Sequence, residues 1–164
     1  MPSILHDNFT RNVEHEIKSQ LDNLAGRSDL LRAFAEKITL DGSGRIEFGS
    51  PEVIAENPES AQTSHEPDAS FGYIDAVYPP VVVEISYSQK RKDLAKLADS
   101  YILDSDSNIR LVVGLDIEYL GTKKATISMW RPRLVTDDGA NNKVLVVEQV
   151  QDEVRSYILL VIWM

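Results

Sequence analysis

The sequence predicts a mixed α/β fold of the α+β kind, in which helices flank a central mixed β-sheet. Apolar residues recur at helical spacing over residues 8–25 and again over residues 94–102, which indicates two helices with one buried face each. Between them, Val81–Tyr87 is rich in β-branched residues and has the length of a strand. From Ile109 onward apolar side chains alternate along a further strand. This strand–helix–strand order predicts a right-handed parallel crossover.

The N-terminal part of the chain is predicted to contain two helices. Asp7 or Asn8 caps the first helix, and Gly26 is a typical stop for it. Ser28 begins a shorter helical stretch whose apolar positions are Leu30, Leu31, Phe34 and Ile38.

Shorter strands and loops are predicted on either side of the crossover. Before it come a turn at residues 41–44, a strand at 45–49, a polar loop at 51–67 and a strand at 70–74. The crossover helix is expected to bury Leu94, Leu97, Ala98, Tyr101 and Ile102. After it, residues 123–130 form the hairpin partner of the preceding strand, and residues 144–150 form another strand. We interpret residues 1–164 as one domain, with a core at about 8–131 and a C-terminal strand and apolar tail at 143–164.

The composition excludes thiol chemistry. The chain has 164 residues, a formal net charge of −9 and no cysteine, so neither a disulfide framework nor a thiolate metal site is available. The sequence contains no secretory signal and no apolar stretch long enough to span a membrane. We therefore expect an intracellular protein, cytoplasmic or nuclear, without a membrane partner. The acidic net charge is unusual for a protein that binds duplex DNA by neutralising phosphates.

Charged residues are distributed unevenly along the chain. Residues 46–89 contain eight acids but no lysine or arginine. A basic cluster, Lys90, Arg91 and Lys92, follows immediately. This succession indicates either a cation site beside an anion site, or a solvated acidic loop followed by a charged helix end.

Two acids stand out by their position. Glu84 lies in the middle of a predicted buried strand, where an ionised carboxylate needs a basic side chain, hydrogen-bond donors or a cation. Asp68 precedes the strand at residues 70–74, and antiparallel pairing of the two strands would bring both carboxylates to one end. Two close carboxylates repel each other, so the pair predicts a site for a hard divalent cation such as Mg²⁺. The structural alternative is a buried ion pair of Glu84 with Lys92 or Lys96.

These residues carry a resemblance to a known family. The pattern PDASF, then PPVVVEISYS, then Asp93, Lys96 and Tyr101 resembles the signature of the PD-(D/E)XK nuclease superfamily. More narrowly, it is similar to the restriction-endonuclease family abundant in cyanobacteria and to fungal proteins that share the pattern EISYSQ…DL..LA..YI. The likeness covers about residues 45–131. It implies the restriction-endonuclease-like fold, an αβββαβ core whose mixed sheet is flanked by helices.

The resemblance also implies a reaction, the hydrolysis of nucleic-acid phosphodiester bonds with Mg²⁺ or Mn²⁺ as cofactor. Asp68 and Glu84 match the two acidic positions of the motif, and Ile85 joins them as an expected metal-site residue. The usual lysine position, two residues after the second acid, is Ser86 in this chain. Serine cannot replace a cation, so the resemblance implies that another basic residue takes the role.

The helix after the second acid offers the replacements. At 100° per residue, Gln89, Asp93 and Lys96 form one polar stripe beside the buried one. Lys96 is the first candidate for the missing lysine and Lys92 the second, with Gln89 as a further catalytic residue.

Three further assignments concern charged residues and histidines. The basic cluster at the helix N-terminus is expected to attract substrate phosphate, although it could instead neutralise neighbouring acids. Glu14 on the first helix is a candidate accessory acid, with an exposed helix glutamate as the alternative. Because they lack metal-ligand spacing, three histidines are expected at the surface: His6, His15 and His65.

The function predicted from these features is a metal-dependent nuclease that acts on nucleic acid, DNA rather than RNA. Members of the superfamily often work as dimers, so a homodimer is expected. The first alternative is a module that kept the nuclease fold, lost catalysis and serves binding or regulation. The second is a protein–protein interaction domain, based on the apolar C-terminal sequence SYILLVIWM.

Overall fold

The computed structural model describes residues 4–49, 63–87, 93–117, 125–136 and 142–155. The described helices are α1 (Ile4–Ala25), α2 (Asp29–Ala35) and α3 (Leu94–Asp104). The described strands are β1 (Ile38–Leu40), β2 (Ile46–Phe48), β3 (Thr63–His65), β4 (Ala69–Tyr73), β5 (Val81–Tyr87), β6 (Leu111–Ile117), β7 (Ala125–Thr136) and β8 (Lys143–Arg155).

The strands form a mixed sheet, which confirms the predicted fold class. Six strands make the main sheet in the order β1-β4-β5-β6-β7-β8, and β2 pairs with β3 in a separate two-stranded sheet. β5 and β6 are parallel and are joined through α3, as the strand–helix–strand pattern predicts. The other pairs of the main sheet are antiparallel. When α2 and the separate β2–β3 pair are set aside, the elements α1, β1, β4, β5, α3 and β6 follow the expected helix–three strands–helix–strand order.

Each face of the sheet has its own hydrophobic cluster, because successive side chains of a strand point to opposite faces. On one face Val83 and Ile85 of β5 pack with Phe9 and Val13 of α1. On the other face Val82 packs with the α3 residues Ala98, Tyr101 and Ile102 and with Val112 and Trp130. A fully buried aliphatic side chain contributes about 1.5–3 kcal/mol, so the central strands stabilise both layers at once.

Gly114 of β6 lets the first turn of α3 approach the sheet closely. A Cβ atom at this position would lie 2.9 Å from Trp130 Cζ3 and 3.0 Å from Leu94 Cδ1. Both distances are shorter than ordinary contacts, so a side chain at residue 114 would displace the Trp130 ring and the Leu94 side chain. Gly114 is also the register partner of Glu84. The start of α3 is therefore packed on β6, next to the strand that carries the buried acid.

The predicted helix boundaries are partly confirmed. α1 ends at Ala25, before Gly26, as predicted. It begins at Ile4, so the prediction that Asp7 or Asn8 caps it is wrong: the helix includes both residues. Ser28 does cap α2, and its hydroxyl accepts a hydrogen bond from the backbone nitrogen of Leu31 at 3.3 Å.

Two short strands were not expected from the sequence. Ile38, assigned to the second helix, lies in β1, where it pairs with Tyr73 at the edge of the sheet. β3 falls inside the predicted polar loop because His65 and its neighbours pair with β2. Both strands are short and are stabilised by partners distant in the chain. β7 and β8 extend beyond their predicted ends, to Thr136 and Arg155, because they pair with each other over most of their length.

Candidate functional site

The register of β4 and β5 brings the two predicted acids to the same end of the sheet. The strands pair antiparallel, with Ala69 opposite Val83. Asp68, one residue before Ala69, is therefore level with Glu84, one residue after Val83. This is the arrangement on which the predicted convergence of the two carboxylates depended.

Asp68 is held from two sides of the fold. Its Oδ2 accepts a hydrogen bond from the backbone nitrogen of Ile85 at 2.6 Å. Its Oδ1 lies 3.0 Å from Nε2 of His6, which comes from the first turns of α1. The side chains of His6 and Asp68 are only 16% and 13% exposed. The carboxylate is therefore fixed by a strand and a helix, which limits the positions it can take.

Glu84 is buried on the face of β5 opposite the α1 cluster, the hydrophobic cluster in which Val83 and Ile85 pack against α1. It is 2% exposed, and its Oε1 accepts a hydrogen bond from the hydroxyl of Tyr101 at 2.7 Å. Burial raises the pKa of Tyr101 far above its usual value, and the charges of Glu84 and Asp68 and the hydrogen bond to Glu84 raise it further. The phenol therefore remains protonated over the physiological pH range and acts as a neutral donor.

Residues of the β2–β3 hairpin fix the ring of Tyr101. The ring centroid of His65 is 5.0 Å away, and that of Phe48 is 6.3 Å away in an edge-to-face arrangement. His65 Nε2 is also 2.7 Å from Ser100 Oγ on α3, and Ser100 donates to Asp104 at 2.6 Å. This small sheet thus supports the α3 side of the acid site.

Ser86 occupies the position where the resembled motif has lysine. It is 1% exposed and is level with Asp116 on β6, which in turn pairs with Thr126 on β7. These three residues make a polar row across neighbouring strands on the face that carries Glu84. Asp116 is a third acid at this end of the sheet that the sequence patterns did not single out.

Lys96 lies at the exposed start of α3. Its side chain is 82% exposed, and its Nζ is 3.1 Å from Oδ2 of Asp93. Asp93 caps the helix by accepting a hydrogen bond from the backbone nitrogen of Lys96 at 3.2 Å. Hydrogen bonds from Lys96, together with its charge, lower the pKa of Asp93. A catalytic role of Lys96 stays a prediction, and in this structure the lysine pairs with the helix cap.

Of the remaining predicted site residues, two are described by the structure and four lie outside the described ranges. Ile85 touches Asp68 through its backbone nitrogen, while its side chain is buried in the α1 cluster. Glu14 is partly buried on α1, about two turns after His6, and its accessory role stays a prediction. Four predicted residues lie outside the described ranges: Gln89, Lys90, Arg91 and Lys92. The apolar sequence at residues 156–164 lies outside them as well.

The donor types at this end of the sheet fit a hard divalent cation. Two carboxylates supply oxygen ligands, and Mg²⁺ commonly binds through one or two carboxylates while it keeps several waters. Within the described ranges, no group of three or more histidine or acidic side chains has an arrangement that could hold a metal ion. A cation at this end of the sheet would therefore rely on the carboxylates of Asp68 and Glu84 and on water.

Two histidines are placed differently from the prediction that all three lie at the surface. His6 contacts Asp68 and is mostly buried, and His65 is partly buried against Tyr101. His15 is exposed, as predicted. His6 lies three residues before Phe9, on the apolar stripe of α1 extended by one turn, so a correct helix start would have indicated its orientation. The position of His65 depends on β3, for which the sequence offered no signal.

Comparisons with protein-family models, with curated proteins and with solved structures found no match. The resemblance to the PD-(D/E)XK superfamily thus rests on the residues quoted above. Among the helices of the described ranges, none combines the length and the apolar character needed to cross a bilayer.

Proposed function

We propose that this protein is a metal-dependent nuclease that hydrolyses phosphodiester bonds of nucleic acid, and we expect DNA as its substrate. The observation that carries the proposal is the register of β4 and β5, which puts Asp68 level with Glu84 at one end of the sheet. Two carboxylates that converge repel each other unless a proton or a cation lies between them. A divalent cation at this position would supply Lewis-acid polarisation of the scissile phosphate.

In this proposal the acidic residues would hold the cation, and the basic residues would bind the substrate. Asp68 is fixed by His6 and the Ile85 backbone, and Glu84 by Tyr101, so both carboxylates are held before any cation binds. The basic residues at 90–92 would bind substrate phosphate near the start of α3. Lys96 is the first candidate for the residue that orients the attacking water, and Lys92 is the second. Gln89 is proposed as a further catalytic residue. A homodimer is part of the same proposal.

A second candidate is a nuclease-like module that binds nucleic acid or a regulator without cleaving. Two observations favour it. Ser86 is buried at the position of the usual lysine, and Lys96 is exposed and paired with Asp93. Neither residue places a positively charged side chain beside Asp68 and Glu84 in the described structure. A site without such a side chain would bind a metal ion but catalyse poorly.

The experiment that separates the two candidates is calorimetric titration with Mg²⁺ and with Mn²⁺, combined with cleavage assays on DNA and RNA. The samples are the wild type, Asp68→Ala and Glu84→Ala. Asp29→Asn is the control, because that acid is fully exposed at the start of α2 and far along the chain from the site. The nuclease proposal expects cation binding and cleavage that both site substitutions abolish and the control retains.

Other results have distinct meanings. Cation binding without cleavage of either nucleic acid favours the non-cleaving module. No cation binding by the folded wild type contradicts the metal site itself, and with it the nuclease proposal.

A further inference from the structure

The hydroxyl of Tyr101 and the carboxylate of Glu84 meet in the interior of the protein. The donor and acceptor oxygens are 2.7 Å apart, and the two residues are 0% and 2% exposed. A buried phenol hydroxyl needs an acceptor, and a buried carboxylate needs donors or a cation. One hydrogen bond therefore meets a requirement of both groups.

The ring of Tyr101 is fixed by contacts that do not involve Glu84. Phe48 and His65 pack against it from the β2–β3 hairpin. Ala98 and Ile102 of α3 belong to the same buried cluster and are 0% exposed. A ring enclosed in this way holds its hydroxyl at one place on the sheet. The hydrogen bond can therefore set the position of the carboxylate, because the tyrosine itself has little freedom to follow it.

We propose that Tyr101 is the positioning residue of the acid site and that its hydroxyl holds the carboxylate of Glu84 ready for a divalent cation. This inference rests on the proposed function. The resembled motif has a lysine on the strand of the second acid, whereas this chain has Ser86 there and brings a neutral hydroxyl from α3. The hydroxyl donates to Oε1 of Glu84 and so orients the carboxylate from the α3 side. Hydrogen-bond partners that orient metal ligands typically change metal affinity about 10–100-fold when they are removed.

The test compares two tyrosine-to-phenylalanine variants that each remove one hydroxyl. Tyr101→Phe removes the group that donates to Glu84. Tyr78→Phe is the matched control, because Tyr78 stacks on Phe48 at a centroid distance of 5.8 Å but donates to the backbone oxygen of Gly49 at 3.4 Å. The probe is Mn²⁺ alone, titrated by calorimetry into each folded protein.

We expect Tyr101→Phe to weaken Mn²⁺ binding about 10–100-fold and Tyr78→Phe to change it by less than about twofold. Equal affinity of Tyr101→Phe and the wild type would overturn the inference. A loss of the same size in both variants would overturn it too, because the effect would then come from the packing of the aromatic cluster.

A second measurement separates this inference from the proposed function. The unfolding equilibria of Tyr101→Phe, Glu84→Ala and the double variant are measured without metal, because each single substitution removes one partner of the hydrogen bond. The inference expects the two substitutions to be coupled by at least about fivefold in the unfolding equilibrium constant, and additivity within about twofold would overturn it. If the wild type binds no Mn²⁺, the proposed function fails and this cycle alone decides whether Tyr101 holds Glu84.

Discussion

Two glutamates of the same sheet are held in opposite ways. Glu84 on β5 is 2% exposed and accepts a hydrogen bond from the neutral hydroxyl of Tyr101. Glu148 on β8 has a side chain that is 26% exposed, and it accepts from Arg131 Nε at 2.9 Å and from Arg133 Nη1 at 2.8 Å. Hydrogen bonding and charge from Arg131, and then from Arg133, lower the pKa of Glu148.

The difference shows where each kind of partner matters. Solvent screens the arginine pairs around Glu148, so such surface pairs contribute little to stability. Glu84 is shielded from water, where the position of each donor has a large effect on the free energy of the carboxylate. Two guanidinium groups donate to Glu148 at the surface, whereas a neutral hydroxyl donates to Glu84 in the interior. The hydroxyl orients the buried acid, and the arginines neutralise the surface acid.

The largest expected effect on stability comes from removing the side chain of Tyr101, the buried partner of Glu84. Tyr101→Ala should lower the free energy of unfolding by about 3–5 kcal/mol, as for other large buried aromatic residues truncated to alanine, because Tyr101 is 0% exposed. Arg131→Ala, at a side chain 59% exposed, should cost much less. Urea denaturation of both variants checks the order, and similar losses would break the comparison.

A pH dependence on the alkaline side should follow from the same tyrosine. The pKa of Tyr101 in the folded protein is raised above its ordinary value of 10.0, so the folded state keeps a proton that the unfolded state releases. Its contribution is fully present below about pH 10 and is lost above it, by about 1.4 kcal/mol per pH unit. Thermal unfolding between pH 9 and about pH 11 should show a smaller alkaline loss in Tyr101→Phe than in the wild type. An unchanged pH profile in that variant would show that other groups cause the loss.

A smaller effect is expected from neutralising the buried acid without changing its shape. Glu84→Gln keeps an acceptor for Tyr101 and removes a charge from the interior, so without divalent ions the protein should be as stable as the wild type or more stable by up to about 1 kcal/mol. The melting temperature in the presence of a chelator is the measurement. A variant that fails to fold would instead favour a structural ion pair between Glu84 and a lysine.

The smallest effect should appear at the surface acid. Because the folded-state pKa of Glu148 is lowered, its pairs stabilise the fold above the ordinary glutamate pKa, and this contribution is lost as the pH falls through the lowered value. Glu148→Gln should therefore show a slight loss of melting temperature at neutral pH that disappears in acid. The loss should also shrink in high salt, because screening weakens exposed pairs. A loss that persists in high salt would mean that packing, and not charge, is responsible.

The central crossover was predictable because its signals are local. The β-branched run Val81–Tyr87 became β5 with the same ends. The stripe of the following helix became the buried face of α3, where Ala98, Tyr101 and Ile102 are buried and Leu94 and Leu97 are packed against them. The position of Glu84 was equally predictable. Because side chains alternate along a strand, Glu84 points to the opposite face from Val83 and Ile85.

The contacts of the acid site were less predictable because they join residues far apart in the chain. The position of Asp68 level with Glu84 required a particular pairing of β4 and β5, which the sequence allowed but did not specify. The contact of His6 with Asp68 required an earlier helix start than the capping pattern indicated. The hydrogen bond from Tyr101 to Glu84 required α3 to pack with one particular rotation over β5.

By itself, the sequence determined the alternation of helices and strands, the placement of one carboxylate inside a buried strand and the motif residues around it. Hydrophobic periodicity encodes these features over a few neighbouring residues. Only the tertiary structure decided which donors surround the two acids and which lysine stays in solvent. Those outcomes depend on strand register and helix packing, where a shift of one residue turns every side chain to the other face of the sheet.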